Sequence, residues 1–251
     1  MTRLTTLGPA ALLLSSVLAA SCSGTPPGEF IILQNQVPNT DCSIPANLGQ
    51  VYRGEGTLDV RLIGSGTGYL LFPVLQNNFP GPAGSNVDAN RIALSGFNVD
   101  VDVPEGATGP IADLITGDRN ADPASDDYAK VHYGTLTSGT VASGGGNTSS
   151  AVEVFPTSLA GDILKMGVLS PVNDFWAVVK VRATGDTLVS SVMSDTFTYP
   201  LRLCDGCLMN NVGACPVAAA SGSQCYIGQD EPTGCCEQAG ALFCPALVST
   251  K

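Results

Sequence analysis

Basic residues are scarce in this 251-residue chain: 11 Lys and Arg stand against 22 Asp and Glu, a formal net charge of −11 at pH 7. A chain so poor in cations offers little to a phosphate backbone or an anionic surface, which argues against nucleic acid as a partner. Charged residues of either sign make up 13% and aromatics 6%, and the charged share is about half the usual one. His132 is the sole histidine and Trp176 the sole tryptophan, so a histidine triad or a multi-histidine metal site has one chance at most. No serine lies in a G-x-S-x-G and no G-K-[ST] occurs, so neither a nucleophile elbow nor a phosphate-binding P-loop is written in the chain. What is present is a 44% apolar content, enough for a core, with 29 glycines and 17 prolines that predict many turns.

Arg3 is the only charge in the first 28 residues and precedes the apolar run Leu7 to Ala20. This is the layout of a signal peptide over residues 1–21, and the run is shorter than the roughly 20 apolar residues needed to span a bilayer. Leu18-Ala19-Ala20-Ser21 then leads into Cys22, with small residues ahead of a lone cysteine. The segment resembles the lipobox of bacterial lipoproteins. The resemblance implies that Cys22 carries a diacylglyceryl thioether, becomes the first mature residue and is acylated on its amine. Two or more chains make such an anchor effectively permanent. Ser23 after the cysteine implies the outer membrane or cell surface under the sorting rule of that family. Residues 22–28 then read as the lipidated cysteine and a short tether without apolar side chains.

Residues 29–203 alternate with period two wherever they are apolar, the mark of half-buried strands. Leu58, Val60 and Leu62 share one face of Thr57 to Ile63, with Thr57, Asp59 and Arg61 on the other. Val99, Val101 and Val103 repeat the pattern, as do Phe197, Tyr199, Leu201 and Leu203, where Pro200 on the outer face predicts an edge strand. The inward set slips by one residue at Gly96, which predicts a β-bulge. Thr184-Gly185-Asp186-Thr187 reads as a hairpin turn between Phe175 to Ala183 and Leu188 to Met193. Pro110 to Ile115, closed by Gly117, and Ser158 to Met166, closed by Gly167, predict one or two helical turns each. The expected fold is all-β, an antiparallel β-sandwich over residues 29–203. The body loosely resembles immunoglobulin-like and fibronectin-like domains, a likeness of architecture alone.

Nine cysteines fall in the chain, seven of them after residue 203. With Cys22 set aside for lipid, eight remain: Cys42, Cys204, Cys207, Cys215, Cys225, Cys235, Cys236 and Cys244. In an exported chain they predict up to four disulfides, and since the tail holds seven, at least one bond ties it to Cys42. Residues 204–251 have too few large apolar side chains for a core of their own and read as a small disulfide-rich C-terminal module. Adjacent Cys235 and Cys236 send bonds in different directions. Cys204-Asp205-Gly206-Cys207 has the spacing of half a zinc site or of a redox dithiol, but no second pair and no histidine follows it.

Asp118, Asn120, Asp122 and Asp126 offer oxygens at the spacing of a Ca²⁺ loop, although Pro123 and Ala129 stand where such a loop wants Gly and Glu. A solvated acidic turn is the competing reading. Gly64 to Gly68 and Gly144 to Gly146 read as turns, and His132 as a strand residue rather than a catalyst. The whole predicts a non-catalytic, lipid-anchored envelope or surface protein with no catalytic residues and no required cofactor. Its partners would be the membrane and an extracellular protein or glycan. A hydrolase built on an exported β-scaffold is the alternative.

Overall fold

The computed structural model describes residues 28–63, 68–82, 84, 87–215 and 225–244. Arg3, the Leu7 to Ala20 run, Cys22, Ser23 and most of the Gly64 to Gly68 stretch lie outside the described residues. In chain order the elements are β1 (Phe30–Gln36), β2 (Tyr52–Arg53), β3 (Gly56–Asp59), β4 (Tyr69–Leu71), β5 (Pro73–Asn77) and β6 (Ile92–Asp102). There follow α1 (Pro110–Arg119), α2 (Asp126–Val131), β7 (His132–Val141), β8 (Gly146–Ser149), β9 (Val152–Phe155) and α3 (Thr157–Met166). The chain closes with β10 (Phe175–Asp186), β11 (Ser191–Met193), β12 (Phe197–Cys204), β13 (Met209–Ala214), β14 (Thr233–Gln238) and β15 (Ala241–Phe243).

The described residues are mostly β, 44% in strands and 13% in helices. Its largest sheet runs β3-β12-β10-β6-β7, with β11 beside the end of β10. A four-stranded sheet runs β2-β1-β5-β8, β4 pairs with β9, and β13-β14-β15 form a sheet in the tail. Alternation drives the large sheet: Ala177, Val179, Val181 and Ala183 of β10 are buried, as are Val99 and Val101 of β6 and Tyr199, Leu201 and Leu203 of β12. Ile111 and Ile115 of α1 and Leu159, Ala160 and Ile163 of α3 enter the same core. Both helices lie where the sequence predicts short helical turns, and both add apolar surface to the strand core.

The bulge at Gly96 is present. The ladders of β6 with β7 and with β10 both shift between Leu94 and Gly96; Ser95 is the extra residue against β10, while against β7 two residues, Thr137 and Ser138, stand opposite it. A Cβ on Gly96 would lie 2.1 Å from the Thr135 carbonyl oxygen, so the position requires glycine.

Other expectations change. The antiparallel rule is broken twice, by β12 with β3 and by β13 with β14, which are parallel. Pro200 is not on an edge strand, because β12 lies between β10 and β3, but the β3 ladder starts at Leu201 and loses no rung to the missing N–H. The hairpin after β10 turns at Thr187–Ser190, where the Thr187 N–H donates to the Ser190 carbonyl at 2.8 Å. Gly185 instead lies within β10, where a Cβ would meet the Ala93 carbonyl oxygen at 2.6 Å. Helix α1 continues through Gly117 to Arg119, and α3 ends at Gly167 as its sequence predicts.

The strand predicted over residues 57–63 stops at Asp59, and the chain turns. Asp59, placed outside by alternation, is fully buried. Its Oδ1 accepts from the Arg61 N–H at 3.1 Å and the Gly206 N–H at 2.8 Å, and its Oδ2 from the Leu208 N–H at 2.9 Å. Three donors compensate its desolvation, so the carboxylate is more stable inside than the pattern implies.

Four disulfides join Cys42 to Cys225, Cys204 to Cys207, Cys215 to Cys236 and Cys235 to Cys244. Cys42 is the body's link to the tail, and Cys235 and Cys236 bond to different partners. The tail is also bonded to the body directly: the Asp230 N–H donates to the Thr57 carbonyl, and the Gln229 amide bonds both backbone groups of Leu70.

Candidate functional site

Where the tail meets β1 and β2, an open pocket of about 340 Å³ is lined by Asn35, Gln36, Arg53, Phe72, Tyr226, Gln229, Asp230 and Glu231, with Val37, Pro38 and Thr40 at its edge. The end of β1 supplies Asn35 and Gln36, and β2 supplies Arg53. The Cys42–Cys225 bond holds Tyr226 against Phe72, with ring centroids 4.6 Å apart and planes tilted by 43°. Asp230 and Cys42, at φ of 62° and 64°, hold left-handed backbone on either side of this seam. Such strain in non-glycine residues collects at functional sites.

Asp230 sits at the centre of a buried polar chain. Its Oδ1 accepts from the Thr57 N–H at 2.8 Å, and both its oxygens lie within reach of the Tyr69 hydroxyl, at 3.0 and 2.9 Å. Tyr69 Oη lies 3.0 Å from Tyr199 Oη, which accepts from Asn35 Nδ2 at 3.0 Å. Asn35 Oδ1 accepts from the Phe72 N–H at 2.8 Å, closing the chain on backbone. Burial raises the Asp230 carboxyl above its ordinary range, and the Thr57 N–H and Arg53 only partly offset this. Burial also drives the Tyr69 hydroxyl well up, with the Asp230 charge adding to it, and pushes Tyr199 up to about 12. Both phenols therefore stay protonated and act as fixed donors.

Arg53 spans the two acids, with its Nε 3.5 Å from Asp230 and an Nη 3.0 Å from Glu231. Gln36 donates to the Asn47 carbonyl at 2.6 Å, while its Oε1 is buried with no partner. A buried acceptor left open costs about 1–3 kcal/mol.

The residues singled out from sequence lie elsewhere. Asp118 is buried near the end of α1, 7% exposed, with no partner for its Oδ2. Asn120 caps α1, Asp122 Oδ1 accepts from the Ala124 N–H at 2.9 Å, and Asp126 opens α2. Asp118, Asp122 and Asp126 do not form a group of three carboxylates all within 4.8 Å of one another. A helix starts inside this stretch: Ser125 Oγ accepts from the Tyr128 N–H at 3.1 Å and caps α2, which takes up Asp126 and Asp127 and packs against α1. Lys130 is the cation there, 2.9 Å from Asp127 and 2.8 Å from Asp162. Burial and then the Asp127 charge raise the Asp118 carboxyl above its ordinary range.

His132 opens β7, as its neighbours predict, and its Nδ1 bonds Asp100 on the outer face of the large sheet. Arg182 approaches Asp100 at 3.8 Å and the Tyr128 ring lies tilted over the imidazole, so His132 belongs to a cross-strand polar ladder. Next along the ladder, burial would raise Asp102, but Lys180, the Val103 N–H and Arg119 hold it below the ordinary carboxylate range.

Asp59, Cys204 and Cys207 do gather as a metal ligand set would. The two sulfurs are bonded to each other and Asp59 is saturated with backbone donors, so neither zinc nor a free dithiol is held there.

Sequence reasoning named none of the pocket's polar residues as a site. Asp230 and Tyr69 are 161 positions apart and share no local motif. The usable signal was cysteine parity: a bond from the tail to Cys42 places a seam between tail and body.

No helix among the described residues is long and apolar enough to cross a membrane. Comparison with protein-family models, with curated proteins and with solved structures finds no match for this chain.

Proposed function

We propose that this chain is an exported envelope protein, anchored by lipid at Cys22, that binds without catalysis and holds the end of a hydroxyl-rich glycan in the Asp230 pocket. Four disulfides support a life outside the cytosol, where such bonds persist. The observation that carries the ligand class is the pocket wall. An aromatic ring, Tyr226, gives a platform for the C–H face of a sugar. Glu231 and Arg53 give planar acceptors and donors for its hydroxyls. Because Arg53 is shared between Asp230 and Glu231, the pocket holds no large charge of one sign, which favours a neutral ligand.

The raised Asp230 carboxyl beside Glu231 favours the hydrolase reading, since paired acids of unequal pKa cleave glycosides. Geometry weighs against it. Both Asp230 oxygens are engaged by Thr57, Tyr69 and Arg53, so the group has no free lone pair aimed at a substrate.

The test is a calorimetric titration of the purified protein with mono- and disaccharides. Saturable heat is expected for a subset, with affinity lowered roughly tenfold in Tyr226→Ala, equivalent to about 1.4 kcal/mol. Silence across the panel, or binding indifferent to Tyr226→Ala, contradicts the assignment of this pocket, and turnover of any saccharide selects the hydrolase.

A further inference from the structure

We infer that the β10–β11 hairpin tip, Thr187–Ser190, dips Leu188 and Val189 into the bilayer that holds the anchor, so that the Asp230 pocket points away from the membrane. The inference rests on the lipid-anchor reading of Cys22.

The tip is an ordered turn. The Thr187 N–H donates to the Ser190 carbonyl at 2.8 Å, and Thr187 Oγ1 accepts from the Ser190 N–H at 3.1 Å. It nevertheless presents Leu188 at 74% and Val189 at 79% exposure, with Met193 half-exposed on β11 behind them. Branched apolar residues at a fixed, solvent-facing tip gain nothing in water but are stabilised by leaving it.

The place where the anchored chain enters the fold names the occupant. Residue 28 lies six positions after Cys22, so the connecting chain reaches at most about 20 Å. Gly28 and Glu29 are held by Asn78, whose amide and N–H donate to their carbonyls at 3.2 and 2.7 Å. The Asp195 N–H donates to the Phe30 carbonyl, and Asp195 follows β11 by two residues. The tip therefore belongs to the same pole as the tether, and the Leu188 N–H is bound there to the Ala89 carbonyl at 3.2 Å. From this pole β1 runs seven residues, about 20 Å, and ends at Asn35 and Gln36 in the pocket wall. A short lipid tether thus brings the tip to the bilayer and carries the pocket to the far side.

The pole bears Asp88, Asp186 and Asp195 with Arg91 as the nearby cation, so attraction to anionic headgroups does not drive the contact. Insertion is apolar and insensitive to salt.

The experiment places a reporter at the tip. Lipidated Val189→Trp protein is reconstituted in phosphatidylcholine vesicles with plain or brominated acyl chains, and tryptophan emission is compared with that of the parent. Trp176, ten residues before Asp186 along β10 and about 33 Å away, serves as the distant reference. The new indole should shift to the blue and be quenched at least twofold by brominated lipid at low and high salt, while Trp176 in the parent is not quenched. Protein that floats with the vesicles but shows no more quenching than Trp176, or quenching that salt abolishes, overturns the tip insertion and leaves the anchor standing. Parent protein that fails to float removes the anchor and the inference with it.

Discussion

Serine at both Cys42 and Cys225 lowers folding stability by about 5 kcal/mol, the largest loss expected from removing any one of the four bonds. The bond spans a sequence separation of 183, and the entropy it withholds from the unfolded chain grows with the logarithm of the loop it closes. The Cys204–Cys207 bond spans only 3 residues, and the same relation gives it about 2 kcal/mol. Urea denaturation of the two double-serine variants measures the difference through their midpoints. A Cys42/Cys225 loss no greater than the Cys204/Cys207 loss means that the long bond does not hold tail to body as described. Pocket affinity should fall with the first pair as well, because Tyr226 is adjacent to Cys225 and is held by it against Phe72. The second pair should leave the pocket intact.

Asp59→Ala carries the other large effect, an expected loss of about 3–6 kcal/mol. Three N–H groups, those of Arg61, Gly206 and Leu208, lose their common acceptor, and each donor left unsatisfied away from water costs about 1–3 kcal/mol. Asp59→Asn should cost about half as much. An amide oxygen can keep the Arg61 and Gly206 bonds, but an NH₂ group then faces the Leu208 N–H. Thermal unfolding of the pair gives the order wild type, Asn, Ala. An Asn variant as stable as the wild type would show that charge and the third acceptor do not hold the end of β3 to the Cys204–Cys207 loop.

Both effects sit where the sequence pattern is least informative. Period-two alternation placed β6, β10 and β12 and even the Ser95 bulge, because each strand buries one face and a slipped register moves a whole row of side chains. The same rule placed Asp59 in water, because alternation counts polarity and not partners. The donors that make its burial favourable come from the chain 147 and 149 residues away. Pro200 misled for a related reason: a missing N–H excludes only a paired position, and the β3 ladder begins one residue later. The acidic stretch from Asp118 to Asp127 looked like a Ca²⁺ loop because ligand spacing is visible in sequence. The Ser125 cap that starts α2 inside it competes for the same residues. The pocket itself joins residues from 35 to 231 and has no local signature, whereas cysteine parity drew the body's Cys42 to the tail at its edge.

The central claim is that the chain leaves the cytosol, is cut before Cys22 and acylated there, and folds around four disulfides. The direct measurement is the intact mass of the protein extracted from its own membrane without reductant. The expected mass is that of residues 22–251 plus a diacylglyceryl group and an acyl chain, less the eight hydrogens lost in four disulfides, with no reaction toward a thiol reagent. A species that begins at Met1, carries no lipid and reacts at several cysteines contradicts it.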